Sequence, residues 1–254
     1  MSLSADSPEA LDLENIRPFI HVVAGALIDS SGRVLIAQRP AGKHLAGGWE
    51  FPGGKLEPGE ERLPGLAREL REELGIVVEQ CRPLIRVRHA YPSRDVLLDV
   101  WVVKRYAGEP RGLDGQRLRW CAQHELASAD LLPADEPIVA ALRLPERLAQ
   151  VSTPAYSIGA ETSGEASSTG AASPTNAVSS TDAQGRLMGA FCSNTEGAVE
   201  AAAQGAQFLV ICRKLPDDEL SRLCAAVCVP VYGREITLER AWALGASGIS
   251  EIPG

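Results

Sequence analysis

What the 254 residues lack sets the first limits. No run of 18 apolar residues occurs. The opening stretch, MSLSADSPEALDLENIRPFI, places acids where a secretory signal needs a basic start and an apolar core. A cytoplasmic protein with no membrane partner is therefore expected. Basic surplus is missing too, since 25 Lys and Arg face 33 Asp and Glu for a net charge of −8. Duplex nucleic acid and anionic lipid are recognised through cationic patches, so neither is expected as a stable partner. An anionic small substrate would need a local cation. Cysteine pairs of the CxxC type are also absent: Cys81, Cys121, Cys192, Cys212, Cys224 and Cys228 are scattered, several of them in apolar runs such as FLVICR. They read as buried thiols, not as a metal or redox centre.

What is present falls into two blocks. Residues 160–185, AETSGEASSTGAASPTNAVSSTDAQG, hold one branched apolar side chain, Val178, and cannot offset their ordering entropy by burial. The expected organisation is a tail over 1–18, a first domain over 19–146, a low-complexity linker over 147–186 and a second block over 187–254. In the first domain HVVAGALI and RVLIAQR flank DSSG as a β-hairpin, and a glycine-rich loop leads into a helix from Leu63 to Leu74. Pro64 suits the first turn of that helix and Gly75 its stop. Strands PLIRVRHAY, RDVLLDVWVVKRY and RLRWC follow, then a short helix near Ile138 to Leu142. The fold class is α+β, a mixed sheet with helices in layers against it. The second block alternates four strands with three helices, an α/β rhythm of parallel βα units, with Ser193 and Glu196 as a capping-box signature.

The charge is densest in residues 53–76, GGKLEPGEERLPGLARELREELGI. At 100° per residue, Leu63, Leu66, Leu70 and Leu74 form one apolar stripe, and Glu69, Glu72 and Glu73 share an arc of about 100° beside it. A solvated helix gains from opposite charges four apart, yet Glu69 and Glu73 are a like-charge pair at that spacing. A hard divalent cation among the three carboxylates would remove the repulsion. The spacing is Gly54, five residues, Glu60, seven residues, then Arg68, Glu69, Leu70, Glu72, Glu73, Gly75 and Ile76.

That spacing resembles the Nudix box, G-x5-E-x7-R-E-U-x-E-E-x-G-U with U aliphatic, at every defined position. The resemblance implies a Nudix fold and hydrolysis of a nucleoside diphosphate linked to a further group, with Mg²⁺ or Mn²⁺ as cofactor. It implies Glu69, Glu72 and Glu73 as ligands, Glu60, Glu109 and Gly53 as further members of the metal set, and Arg68 as the group that orients a carboxylate. Glu72, Glu73, Glu109 and Arg68 are the expected catalytic residues. AQRP, GGWEFPGGKLEPGE, YAGEP and LPADEP are similar to the MutT-like branch, which hydrolyses 8-oxo-dGTP to the monophosphate and pyrophosphate in nucleotide-pool sanitation, a part of DNA repair. Arg39 and Lys55 are then phosphate contacts, Phe51 or Trp49 a stacking residue, and Asp135 stands where that branch typically has a base-reading asparagine. Asparagine donates and accepts, whereas ionised aspartate only accepts. Tyr91 and Pro92 are markers of the dinucleoside-polyphosphate and ADP-ribose branches, so those substrates stay open, as does a non-catalytic nucleotide sensor.

The second block is similar in rhythm and small residues to the later half of thiamine phosphate synthase, a TIM barrel. Four strands are half a barrel. Arg234 follows VPVYG where the synthase grips phosphate with glycine, so a non-catalytic half-barrel is expected. Its open edges imply docking on the first domain or a homodimer through this block.

Overall fold

The computed structural model describes residues 19–42, 45–154, 156–158 and 185–252. The predicted tail and most of the predicted linker lie outside them. Strand β1 (Phe19–Leu27) runs parallel to β6 (Arg94–Ala107) through nine paired residues, and antiparallel to β4 (Gly53–Lys55). The long β5 (Val77–Tyr91) pairs antiparallel with β6 up to Tyr91 and Arg94, so Pro92 and Ser93 make the turn. The sheet order is β4-β1-β6-β5. A smaller sheet holds β2 (Val34–Gln38) between β3 (Trp49–Glu50) and β7 (Leu118–Cys121). The predicted hairpin is corrected here: β1 and β2 meet only at the Ile28 to Val34 bridge, then part into different sheets. The nine-residue parallel register with β6 outcompetes the local pairing.

Helices cover both faces, which is why β6 reads as a nearly continuous apolar run. Helix α1 (Arg62–Leu74) buries Leu66, Leu70 and Leu74 against Val23, Leu27, Trp101 and Val103. Helix α2 (Glu136–Leu142) buries Ile138 and Ala141 with Val100, Val102 and Leu84.

The C-terminal module is a curled parallel sheet of six strands, not four, in the order β8-β13-β12-β11-β10-β9. Its strands are β8 (Arg147–Leu148), β9 (Tyr156–Ile158), β10 (Leu187–Cys192), β11 (Phe208–Ile211), β12 (Val231–Arg234) and β13 (Gly248–Ser250). Helices α3 (Thr195–Ala203), α4 (Asp217–Ala226) and α5 (Leu238–Ala243) connect β10 to β13. The two additional strands come from the stretch read as linker. Asn194, not Ser193, caps α3, accepting from Gly197 N–H at 2.8 Å.

The curl follows from chain length. Val151 O accepts from Ile158 N–H of β9 at 2.9 Å, and Val151 is three residues past Leu148 of β8. Three residues span at most about 11 Å. The two edge strands are thus drawn together, and the concave face fills with Tyr156, Phe208 and Tyr232, whose rings meet edge to face at 5.6 and 6.1 Å. The interior of the curl is occupied by the module's own side chains.

The modules are joined through β5. Arg82, buried, donates from Nε to Glu146 at 2.9 Å and from Nη1 to Ser247 O at 3.3 Å, and Lys104 also pairs with Glu146. Ser247 Oγ donates to Leu84 O at 2.7 Å.

Candidate active site

Helix α1 begins after extended Glu61 and stops at Gly75, whose φ of 71° lets its N–H reach Arg71 O. That left-handed stop suits glycine. Three of the four stripe leucines are buried; Leu63 is 45% exposed, because the first turn overhangs the gap between the modules. Seating the stripe on the sheet turns the glutamates toward β4. Glu69 lies over Gly54, so close that a Cβ there would stand 2.2 Å from Oε2. Glu73 Oε2 accepts from Gly53 N–H at 3.1 Å. Gly53 itself has φ 152° and would place a Cβ 2.1 Å from Val23 O, so only glycine fits against β1.

Arg68 gathers the carboxylates. Its Nε and Nη2 donate to the two Glu60 oxygens at 2.8 Å each, Nη1 donates to Glu69 at 3.0 Å and Glu72 at 3.1 Å, and Nη2 also reaches Lys55 O at 3.1 Å. Charge-assisted bonds from Arg68, then the Glu57 N–H, hold Glu60 down at about 2. Glu69 is shifted upward, by burial first and by the charges of Glu72 and Glu60 against the lowering effect of Arg68.

A cleft of about 580 Å³ runs beside these groups and brings together most of the predicted residues: Glu69, Glu72, Glu73, Gly53 and Lys55 at one end, Arg39, Phe51 and Asp135 at the other. Two of the expected residues do not line the cleft. Glu60 is turned into the Arg68 pair and away from the cleft, and Glu109 is an exposed loop residue 3.2 Å from Arg111. The carboxylate that its loop does bring to the cleft is Asp114, because Leu113 N–H and Gln116 Nε2 both bind Glu73 O, at 2.9 and 3.1 Å. Sequence reading also missed Glu50 and Arg94 as cleft residues: they reach the same cleft from β3 and from the start of β6, strands of different sheets, which no local pattern reveals. Trp49 is not the stacking candidate, since the Arg119 guanidinium covers its ring at 4.6 Å, whereas Phe51 lines the cleft.

Among the described residues no three His, Cys, Asp or Glu side chains converge on one point as they stand, since Arg68 draws Glu69 and Glu72 to itself. Their chemistry nevertheless fits a hard cation. Glu69, Glu72 and Glu73 offer oxygen donors only, next to two glycines that leave room.

The far end of the cleft holds a carboxyl pair. Asp135 is buried, with Phe51 N–H donating to it, and its pKa is pushed well above the aspartate range by burial and then by Glu50, against the lowering influence of Arg39. Arg39 pairs with Glu50 at 2.9 Å and keeps a buried Nε without a hydrogen-bond partner among the described residues. The Tyr91 phenol is raised by burial and by Asp135.

Comparison with known proteins agrees with this geometry. A family model described as the NUDIX domain matches residues 23–141. The 8-oxo-dGTP diphosphatase of Escherichia coli K12 is 35% identical over 124 residues, covering 49% of this chain and 96% of the relative. The Proteus vulgaris protein of the same description is 46% identical over 90 residues, covering 35% of this chain and 80% of the relative. The CTP pyrophosphohydrolase of E. coli K12 is 41% identical over 122 residues, covering 48% and 90%. The solution structure of the E. coli ORF135 protein aligns at 38% identity and a TM-score of 0.45, over 49% of this chain and 89% of the other.

Proposed function

Because this chain belongs to the Nudix family and is a Nudix hydrolase, we propose that it hydrolyses 8-oxo-dGTP to the monophosphate and pyrophosphate, in the manner of the MutT-like relatives it matches at 35–46% identity. The observation that carries the reaction is a single cleft with carboxylates at one end and an enclosed polar pocket at the other. Glu69, Glu72 and Glu73 would hold Mg²⁺ or Mn²⁺ with the backbone of Gly53. When bound, the cation neutralises phosphate charge and acidifies water. The chain's own contribution is alignment: Arg68 fixes Glu69 and Glu72, Gly53 N–H fixes Glu73, and Lys55 supplies a cation toward the phosphates, while Arg39, expected as a phosphate contact, lies beside Glu50 and Asp135 at the base end.

Asp135 supports the base assignment. A carboxyl whose pKa is raised by burial favours its protonated form, which donates and accepts as an asparagine amide does. In nucleotide-pool sanitation that pair of roles reads an oxidised purine edge, with Phe51 as apolar floor. A second reading rests on the same residue. Ionised Asp135 would accept from the exocyclic amine of cytosine, consistent with the similarity to a CTP pyrophosphohydrolase.

For the C-terminal module we infer a thiamine phosphate synthase-like origin without synthase chemistry. Arg234 still occupies the end of β12 where bare backbone would have to approach phosphate. No homodimer is needed to fill the interior of its curl.

The test is pyrophosphate release from 8-oxo-dGTP, dGTP and CTP, and AMP release from ADP-ribose, with Mg²⁺ and with Glu72→Gln as the inactive control. The highest kcat/KM is expected on 8-oxo-dGTP. A clear preference for CTP would replace the first reading by the second, and no turnover on any of them would refute the hydrolase assignment.

A further inference from the structure

The two modules do not close-pack near the catalytic helix. They meet around a cavity of about 720 Å³, with Arg62, Leu63 and Asp99 on one side and Cys224, Ala225 and Trp242 on the other. Contact across such a gap is carried by a few directional links. On the floor of the cavity the Asp99 carboxylate, 3% exposed, gathers three partners: His21 on Oδ2, Arg62 Nη1 at 3.4 Å on Oδ1, and the Arg86 guanidinium as an ion pair, its Nε 3.0 Å from Oδ1 without hydrogen-bond geometry. Each partner comes from a different place. His21 is on β1, Arg62 is the first residue of α1, and Arg86 on β5 also donates from Nη1 to Ala225 O of α4 at 3.0 Å.

A buried carboxylate left with too few partners is expensive, so these groups are held together strongly. The link continues into the site. Glu60, two residues before Arg62, takes both of its oxygens to Arg68, and Arg68 holds Glu69 and Glu72. A tilt of the first turn would therefore move the guanidinium that aligns the glutamates.

We propose that Asp99 and Arg86 are positioning residues for hydrolysis, through which the C-terminal module fixes the start of the catalytic helix. The inference rests on the hydrolase reading above. It gives the second module a role, as the brace of a site to which it contributes no cleft residue.

The test uses the full chain. Arg86→Met removes the link to Ala225 and one partner of Asp99, and Arg62→Gln removes the link from Asp99 to α1. Both are expected to lower kcat for 8-oxo-dGTP about tenfold with KM within about twofold, since neither touches the nucleotide while misalignment of an ångström costs ten- to a hundredfold. Amide hydrogen exchange over residues 60–69 should quicken in both. Arg62→Lys, which keeps a cation within reach of Asp99, should restore kcat. Unchanged kcat and unchanged exchange in folded Arg86→Met would overturn the proposal. Should Arg86→Met not fold, Arg62→Gln, at a half-exposed side chain, decides alone by the same two readouts. A wild-type protein that turns over no nucleotide would refute the hydrolase reading, and exchange over 60–69 would still decide whether the modules are coupled.

Discussion

Glu69 occupies the space that a side chain on Gly54 would take: its three carboxyl atoms lie 2.2–2.5 Å from where the Cβ would stand. The obstruction is the far end of a flexible side chain, so the fold can yield by swinging Glu69 aside. Catalysis cannot yield in the same way if Glu69 is, as proposed, one of the carboxylates that hold the cation. Gly54→Ala should therefore leave the unfolding temperature within a few degrees of wild type while lowering kcat at least tenfold. A loss of stability of about 3 kcal/mol or more, with kcat retained, would show that the glycine serves packing instead.

The neighbouring glycine predicts the opposite pattern. At Gly53 a Cβ would meet the backbone, Val23 O at 2.1 Å and Ala24 Cα at 2.7 Å, and φ is 152°. Backbone of a buried strand has nowhere to go. Gly53→Ala should destabilise the whole first module by several kcal/mol, seen as a fall in the denaturation midpoint with an unchanged slope.

Asp114 and Glu109 separate the two possible late carboxylates. Asp114 lines the cleft, and its loop is tied to Glu73 O, whereas the Glu109 side chain is 80% exposed and paired only with Arg111. Asp114→Asn should lower kcat/KM about tenfold or more, as loss of a carboxylate that would serve as base or help to hold the cation. Glu109→Gln should change it by less than about twofold, as an exposed pair contributes little. Steady-state kinetics on both variants settles which carboxylate serves the site; the reverse ranking would refute the assignment.

The reach of sequence reading is clear from these residues. The box glutamates and Arg68 were legible because they sit on one helix, where a 3.6-residue period fixes which side chains share a face. Asp135 was legible as a residue but not as a buried acid, since its enclosure depends on Glu50, Tyr91 and Phe51 arriving from β3, β5 and the turn after β3. Pairing between distant strands decides those neighbours, and no local pattern encodes it. The same limit explains the hairpin that became two sheets and the strand β8, too short to show a period. For Glu109 the motif gives its position in the chain but not the direction of its loop, which leaves the side chain exposed beside Arg111.

Asp135 makes a pH prediction with a defined sign. Its folded-state pKa is raised, chiefly by burial and then by Glu50, so the protonated form is favoured in the native state. The stabilisation is complete below the ordinary aspartate range and is lost as pH rises through the folded value. If protonated Asp135 reads the 8-oxopurine edge, kcat/KM on 8-oxo-dGTP falls as pH rises through that value, while activity on CTP, which needs only an acceptor, does not fall with it. Asp135→Asn, which keeps both a donor and an acceptor at every pH, should flatten the 8-oxo-dGTP profile and leave CTP hydrolysis in place. Parallel profiles for the two substrates in wild type would rule out a change of proton at this residue as the source of selectivity.

Arg82 tests whether the chain unfolds as one unit. Its guanidinium is 8% exposed and bridges Glu146 of the connection, Pro83 O of its own strand and Ser247 O before β13. Replacement by methionine keeps the apolar stem and removes every donor, leaving Ser247 O unpaired; Glu146 keeps Lys104. Loss of these charge-assisted bonds should cost about 2–3 kcal/mol. Because Ser247 Oγ also bonds Leu84 O inside the same contact, the loss is felt on both sides of the junction. A single cooperative thermal transition that shifts downward as a whole, with faster amide exchange in both β5 and β13, is the expected outcome. Two transitions, of which only one moves, would show that the modules fold independently and that the brace on the catalytic helix is weaker than the Arg86 and Asp99 geometry requires.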